Sequence, residues 1–216
     1  VRGLGGLART NRLNPDISFI LVYIATMADS TESLISRLDT SSDKTAEKVI
    51  QKLVKIGRPA VSVLFKAAND LAKPRVRKWS LQALGAIGDK RAGPYLLIAL
   101  KDERMTVKLH AVHGLARMNY KPAETAIIRL LNDPSGGIRV NSVDALIHLK
   151  SKKADKALIR LLNDEQWYVR QHACRACGIL EISAALPSLK NLAKHETRKA
   201  VLKEIEVAIS KLSPRD

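Results

Sequence analysis

The sequence predicts an all-α chain folded as an α-solenoid, a superhelix of stacked antiparallel helix pairs. A period of 31 residues carries the prediction: Val76-Arg77, Val107-Lys108, Ile138-Arg139 and Val169-Arg170 open four segments in one register. Units of this size cannot bury an apolar face alone and do so by stacking on their neighbours. Apolar columns follow at fixed offsets: Leu81, Val112, Val143 and Cys174; Leu84, Leu115, Leu146 and Cys177; Ile87, Met118, Leu149 and Leu180. Together with the first column these lie on one face of a helix. An aromatic content of 4% argues against a bulky globular core.

The elements follow in order. Residues 1–13 are rich in Gly and Arg and read as a mobile segment; Gly3-Leu4-Gly5-Gly6-Leu7-Ala8 matches a dinucleotide-binding pattern by letter, but no strand precedes it. Residues 14–40 read as N-terminal helices and a candidate cap, with helices at Ile17 to Met27 and Ser33 to Leu38 separated by Asp29-Ser30-Thr31, where Ser30 or Thr31 supplies an N-cap. The apolar run Ile17 to Ala28 is 12 residues long, short of the roughly 20 that a membrane-spanning helix needs. Asn14-Pro15-Asp16 is a better start for a buried helix than for a secretory leader.

From Asp43 the repeats take over, and residues 41–216 read as the solenoid, with units near 43–72, 73–102, 104–133, 135–164 and 166–195 and a terminal helix at 197–212. The first unit, Thr45 to Asn69, is degenerate, as end units are when one face is solvated. In each unit a long first helix carries the columns above. Small residues fill two further columns, Ser80, Ala111, Ser142, Ala173 and Ala83, Gly114, Ala145, Ala176, so that neighbouring helices can approach closely. A shorter second helix places Leu96, Ile127, Leu158, Leu189 and Ala99, Leu130, Leu161, Leu192 toward the core, and Asp102, Asp133 and Asp164 mark the turn into the next unit.

In these columns the chain resembles the HEAT family, in particular the short repeats called phycobilisome-lyase HEAT-like. The resemblance rests on Asp-x-x-x-x-Val-Arg-x-x-Ala-x-x-Ala-Leu, seen as Asp133 to Leu146 and as Asp164 to Cys177 with Cys in the last place, and it covers roughly residues 43 to 212. It implies the stacked fold and leaves function open, because the family includes bilin lyases, scaffolds, chaperone-like proteins and DNA glycosylase relatives. It also implies that Lys108, Arg139 and Arg170 pair with the Asp six residues before each. Leu71 stands where the first unit needs that Asp, which leaves Arg77 as the expected free member.

Lys and Arg number 37 against 21 Asp and Glu, a net charge of +16. Residues 1–40 are neutral, whereas 73–102 carry seven basic and two acidic side chains and every later unit is also positive. A positive field spread along a solenoid suits a polyanionic partner. An acidic protein surface is the first expectation and nucleic acid the alternative.

The residues that could carry chemistry read mostly as structure. Cys174 and Cys177 spell C-x-x-C but occupy columns filled elsewhere by Leu or Val, and no second pair completes a zinc site. Buried thiols and the absence of a spanning run point to a reducing, cytoplasmic setting. His110 and His113 lie one turn apart on a solvated helix face, and His195-Glu196 is a single His-Glu pair where HEAT-type di-iron hydroxylases use several. No metal and no cofactor is expected. HEAT-like alkylpurine glycosylases combine Trp, Arg and a catalytic Asp in the concave groove, but Trp79 and Trp167 map to first helices and turns. Trp79 shares a column with His110, Asn141 and His172 and is expected to be partly exposed.

The polar face of the second helices is the candidate site. Arg129 and Arg160 are its expected anchors, with Lys101, Asn132, Lys156, Asn163, Lys190 and Lys194 around them. By the family resemblance this helix lines the concave surface, where Arg can make bidentate contacts to carboxylate or phosphate. The sequence thus reads as a non-catalytic scaffold or adaptor that binds an acidic protein through a basic concave face. Sequence-independent nucleic-acid binding by the same face is the alternative, and a bilin-lyase-like activity is implied by the resemblance alone.

Overall fold

A computed structural model describes residues 30–213. The predicted mobile segment 1–13 and the helix expected at Ile17 to Met27 lie outside them. The described residues form twelve α-helices and no strand. A short helix α1 (Thr31–Ser36) comes first, with Ser30 as its N-cap: the Ser30 hydroxyl accepts from the Ser33 N–H at 3.2 Å. Five helix pairs then alternate long and short: α2 (Asp43–Ile56) and α3 (Val61–Asn69), α4 (Pro74–Ile87) and α5 (Gly93–Ala99), α6 (Met105–Arg117) and α7 (Glu124–Arg129), α8 (Gly136–His148) and α9 (Asp155–Arg160), α10 (Trp167–Ile179) and α11 (Leu186–Ala193). The long helix α12 (Lys199–Leu212) closes the stack.

The apolar columns are the core. Val76, Val107, Ile138 and Val169 are buried, as are the columns of Leu81 and Leu84, while Ile87 alone of its column is half-buried. Leu96, Ile127, Leu158 and Leu189 anchor the short helices from the other side. One short-helix column differs from expectation: Leu130 is half-buried and Leu131 takes the deep position, with Leu162 matching it one unit on. The reason is local. Leu130–Asn132 and Leu161–Asn163 are 3-10 turns, and their three-residue period rotates the chain relative to an α-helix.

Each long helix packs directly on the next, α2 on α4, α4 on α6 and so on to α10 on α12, and each short helix packs on the long helix that follows it. The contact unit is therefore shifted by one helix from the unit read off the sequence. Helix α1 buries Leu34, Ile35 and the following Leu38 against α2, α3 and α4.

The long helices end through one repeated device. Gly88, Asn119, Lys150 and Glu181 occupy a single column, and all four have positive φ, from 48° to 74°. The left-handed residue lets the following N–H reach back to the helix: Tyr120 to the Leu115 carbonyl at 3.0 Å, Ser151 to Leu146 at 3.0 Å and Ile182 to Cys177 at 2.9 Å. Glycine adopts this conformation without a Cβ penalty, whereas the exposed Lys150 pays it. Lys150→Gly is expected to stabilise the fold by about 1 kcal/mol, read as a higher urea midpoint at unchanged m-value.

Candidate functional site

The cationic column at the start of the long helices is consumed internally, in a register different from the expected one. Arg77 Nη2 lies 2.6 Å from Asp102 Oδ2, Lys108 pairs with Asp133, Arg139 Nη2 lies 2.7 Å from Asp164 Oδ1, and Arg170 Nη2 lies 2.7 Å from Glu196 Oε2. Each base thus reaches forward to the turn before the next long helix. The Asp six residues earlier offers only its backbone carbonyl, at 3.0 Å from Asp133 to Arg139 and 2.8 Å from Asp164 to Arg170. Arg77, the expected free member, is paired like the others.

Glu196 supplies the last carboxylate of this ladder. Burial pushes its pKa up, but the Arg198 N–H, the Arg170 guanidinium and the Thr197 N–H outweigh that and hold it below the usual carboxylate range. A depressed folded-state pKa contributes stability that is present above the unfolded-state value and is lost as pH falls through the folded one. Glu196→Gln is therefore expected to lower stability at neutral pH, and its deficit to close as the pH is taken below about 4. Chemical unfolding of both proteins across that range checks it.

A second lysine-based fastening reaches the other end of the next long helix. Lys121 Nζ donates to the Leu149 carbonyl, and Lys152 Nζ to the Leu180 carbonyl at 2.8 Å. In both cases a cation caps the carbonyl end of the next long helix, where the helix dipole favours it.

The outward face of the long helices is also largely self-satisfied. His113 Nε2 hydrogen-bonds Asn141 Oδ1, and Asp144 Oδ1 binds His172 Nδ1 at 3.0 Å and Arg175 Nη2 at 2.5 Å. His110 has its pKa pushed down to about 4, first by burial and then by the nearby Lys78 and His113. Trp79 departs from expectation: it is 7% exposed, with the His110 ring 6.2 Å away and Lys78 Nζ 3.7 Å from its own ring centroid. Those two side chains cover a position that its polar column mates marked as exposed. Cys174 and Cys177 are buried and free, and burial pushes both thiols up to about 12, far from the thiolate that nucleophilic or metal-binding chemistry requires. Among the described residues no group of three or more His, Cys, Asp or Glu is placed to hold a metal ion, and no helix is long and apolar enough to cross a membrane.

The eight predicted site residues lie along the short helices and their ends. Lys101 follows α5; Arg129 ends α7 and Asn132 the turn after it; Lys156 and Arg160 lie in α9 and Asn163 in the turn after it; Lys190 lies in α11 and Lys194 follows it. All eight are exposed, and none of their side chains has a hydrogen-bond or ion-pair partner among the described residues. They point away from the buried Leu96, Ile127, Leu158 and Leu189 of the same helices.

Successive long helices lie directly on one another, and glycine permits the approach: a Cβ added to Gly85 of α4 would sit 2.6 Å from the Gly114 Cα of α6. The eight residues lie on the other, short-helix row of the stack.

Two exposed members of this face were not singled out from the sequence. Lys66 and Ile98 share the column of Arg129 and Arg160, Lys66 once the first unit is aligned on the buried Ala60 and Ala92 and Ile98 directly. The signal was present, but the offset there is 32 residues, not 31. Ile98 is 64% exposed and interrupts the cations with an apolar surface.

A family model described as HEAT repeats matches residues 31–116 and 123–210. The phycobilisome maturation protein of Synechococcus elongatus is 30% identical over 89 residues, which cover 41% of this chain and 42% of that protein. The match thus spans less than half of the curated relative's length. A designed armadillo repeat protein in complex with the peptide (KR)4 superposes with a TM-score of 0.62 at 20% identity, covering 83% of this chain and 98% of its own. An engineered protein superposes with a TM-score of 0.60 at 19% identity, covering 85% of this chain and 98% of its own. At these identities the two likenesses show the fold.

Proposed function

The chain belongs to the HEAT-repeat family, and from that premise we propose that it is a non-catalytic scaffold or adaptor that binds an acidic protein partner through the exposed basic face of its short helices. One observation carries the reading: the cations of this chain fall into two populations. Those of the long-helix column are spent on carboxylates within the stack, whereas Arg129, Arg160 and the residues around them have no partner among the described residues. A guanidinium at the surface in repeated columns offers bidentate hydrogen bonds to carboxylates spaced along a partner. The armadillo neighbour holds a basic peptide; the charge balance here suits the opposite sign.

The test is a fluorescence-anisotropy titration with a labelled oligoglutamate peptide, using the native protein and the Arg129→Glu, Arg160→Glu double variant. The double variant is expected to bind at least about tenfold more weakly, since hydrogen bonds to charged groups contribute about 1.5–3 kcal/mol each. Unchanged affinity would overturn the reading. A labelled DNA duplex and single strand in the same assay address the nucleic-acid alternative, which the excess of 37 basic over 21 acidic residues favours. Binding that survives about 150 mM salt with a steep log-log salt slope would put nucleic acid first. A bilin-lyase-like role draws on the printed name of the Synechococcus relative, and ranks below both.

A further inference from the structure

At the N-terminal end of the same face lies a cleft of 530 Å³ between α3 and α5, walled by Phe65 and Tyr95 and rimmed by Arg58, Ser62, Lys66 and Arg91. Its volume is in the range of a small-molecule or single-side-chain pocket. Both rings are half-buried and packed on each other, so they form one continuous aromatic surface of the cleft. Three cations surround them against one carboxylate. Asp89 is 8% exposed in its side chain and takes Arg91 Nη2 at 2.7 Å and, more distantly, Arg58 Nε at 3.6 Å. The side chain and backbone N–H of Arg91 hold the Asp89 carboxyl down to about 2, so it remains an anion that fixes the Arg91 guanidinium at the rim. Arg58 is still 86% exposed in its side chain and Lys66 has no partner among the described residues, which leaves the rim with a net two positive charges.

We infer that this cleft seats an aromatic side chain of the acidic partner, with the partner's flanking carboxylates on Arg58, Lys66 and Arg91. The inference rests on the basic-face reading and deepens it. Lys66 stands in the column of Arg129 and Arg160, with the exposed Ile98 between them, so one extended acidic segment can run from the cleft along the short helices. Aromatic walls reward an aromatic guest with offset or edge contacts beyond the area it buries, and a cationic rim rejects a basic or neutral segment that would leave those charges desolvated and unpaired. The cleft thus supplies the sequence preference that a row of exposed Lys and Arg lacks.

Two labelled seven-residue peptides test it: three glutamates, a tryptophan and three glutamates, and the same peptide with alanine at the centre. Each is titrated by fluorescence anisotropy against the full chain and against Arg58→Glu, Phe65→Ala and the Arg129→Glu, Arg160→Glu pair, with thermal unfolding confirming that each variant is folded. The tryptophan peptide is expected to bind about tenfold tighter than the alanine peptide. Phe65→Ala should abolish that preference while leaving the alanine peptide unchanged, and Arg58→Glu, at a residue too exposed to affect folding, should weaken the tryptophan peptide most. Equal affinity of the two peptides, or a preference that survives both cleft variants, would overturn the inference. Acidic peptides that bind without preference and are lost on reversing Arg129 and Arg160 would sink the cleft alone, whereas no binding of either peptide would sink the basic-face reading and the cleft with it.

Discussion

Arg139→Ala is expected to destabilise the protein by about 3–5 kcal/mol, the cost of breaking a buried ion pair from one side. Arg139 and Asp164 are 9% and 8% exposed in their side chains, and Arg139 also donates from Nη1 to the carbonyls of Asp133 and Pro134, at 3.0 and 3.1 Å. Truncation would leave an interior carboxylate without its counter-charge and unfasten two carbonyls at the turn before α8. Removing the carboxylate is a different experiment, because Asp164 Oδ1 also accepts from the Gln166 N–H at 2.9 Å. Asp164→Asn keeps an acceptor for that N–H and should cost less than Arg139→Ala. Urea unfolding at neutral pH measures both; a loss below about 1 kcal/mol for Arg139→Ala would place this pair with solvent-screened surface bridges.

Gly85→Leu is the second substitution with a large expected effect, of about 3 kcal/mol. The obstacle is backbone: the added Cβ would meet Gly114 Cα at 2.6 Å, and the reverse change at Gly114 would bring its Cβ to 2.9 Å from Leu96 Cδ1 and 3.0 Å from Gly85 Cα. A flexible side chain could step aside, but two helix backbones can relieve the clash only by moving apart. That would expose the Leu81, Leu84, Val112 and Leu115 columns, so the cost should appear as a lower unfolding midpoint together with a lower m-value if the stack separates there. Gly85→Ala is the milder probe of the same contact.

How much of this was legible in the sequence depended on whether a feature repeats in one dimension or across the stack. The columns headed by Val76 and Leu96 were readable because apolar side chains at helical spacing have little alternative to burial. The ladder was readable as a pairing of bases with acids, but its register was not. With a period of 31, an acid six residues before a base in one unit is equivalent to an acid 25 residues after the base in the unit before. Letters alone cannot separate a bond within a unit from one between units. Trp79 was misplaced because its column is otherwise polar, while its cover comes from Lys78 and His110. The aromatic cleft escaped because the one-residue offset of the first unit broke the register that links Lys66 to Arg129.

The forward reach of the ladder gives the protein a mechanical character. Each long helix from α4 to α10 is tied by one ion pair to the turn before the next long helix, from Arg77 to Asp102 through to Arg170 and Glu196, so these fasteners lie in series. Drawn out by its two ends, such a chain should surrender length in steps of similar height, one bridge at a time, and behave as a graded spring in place of a single latch.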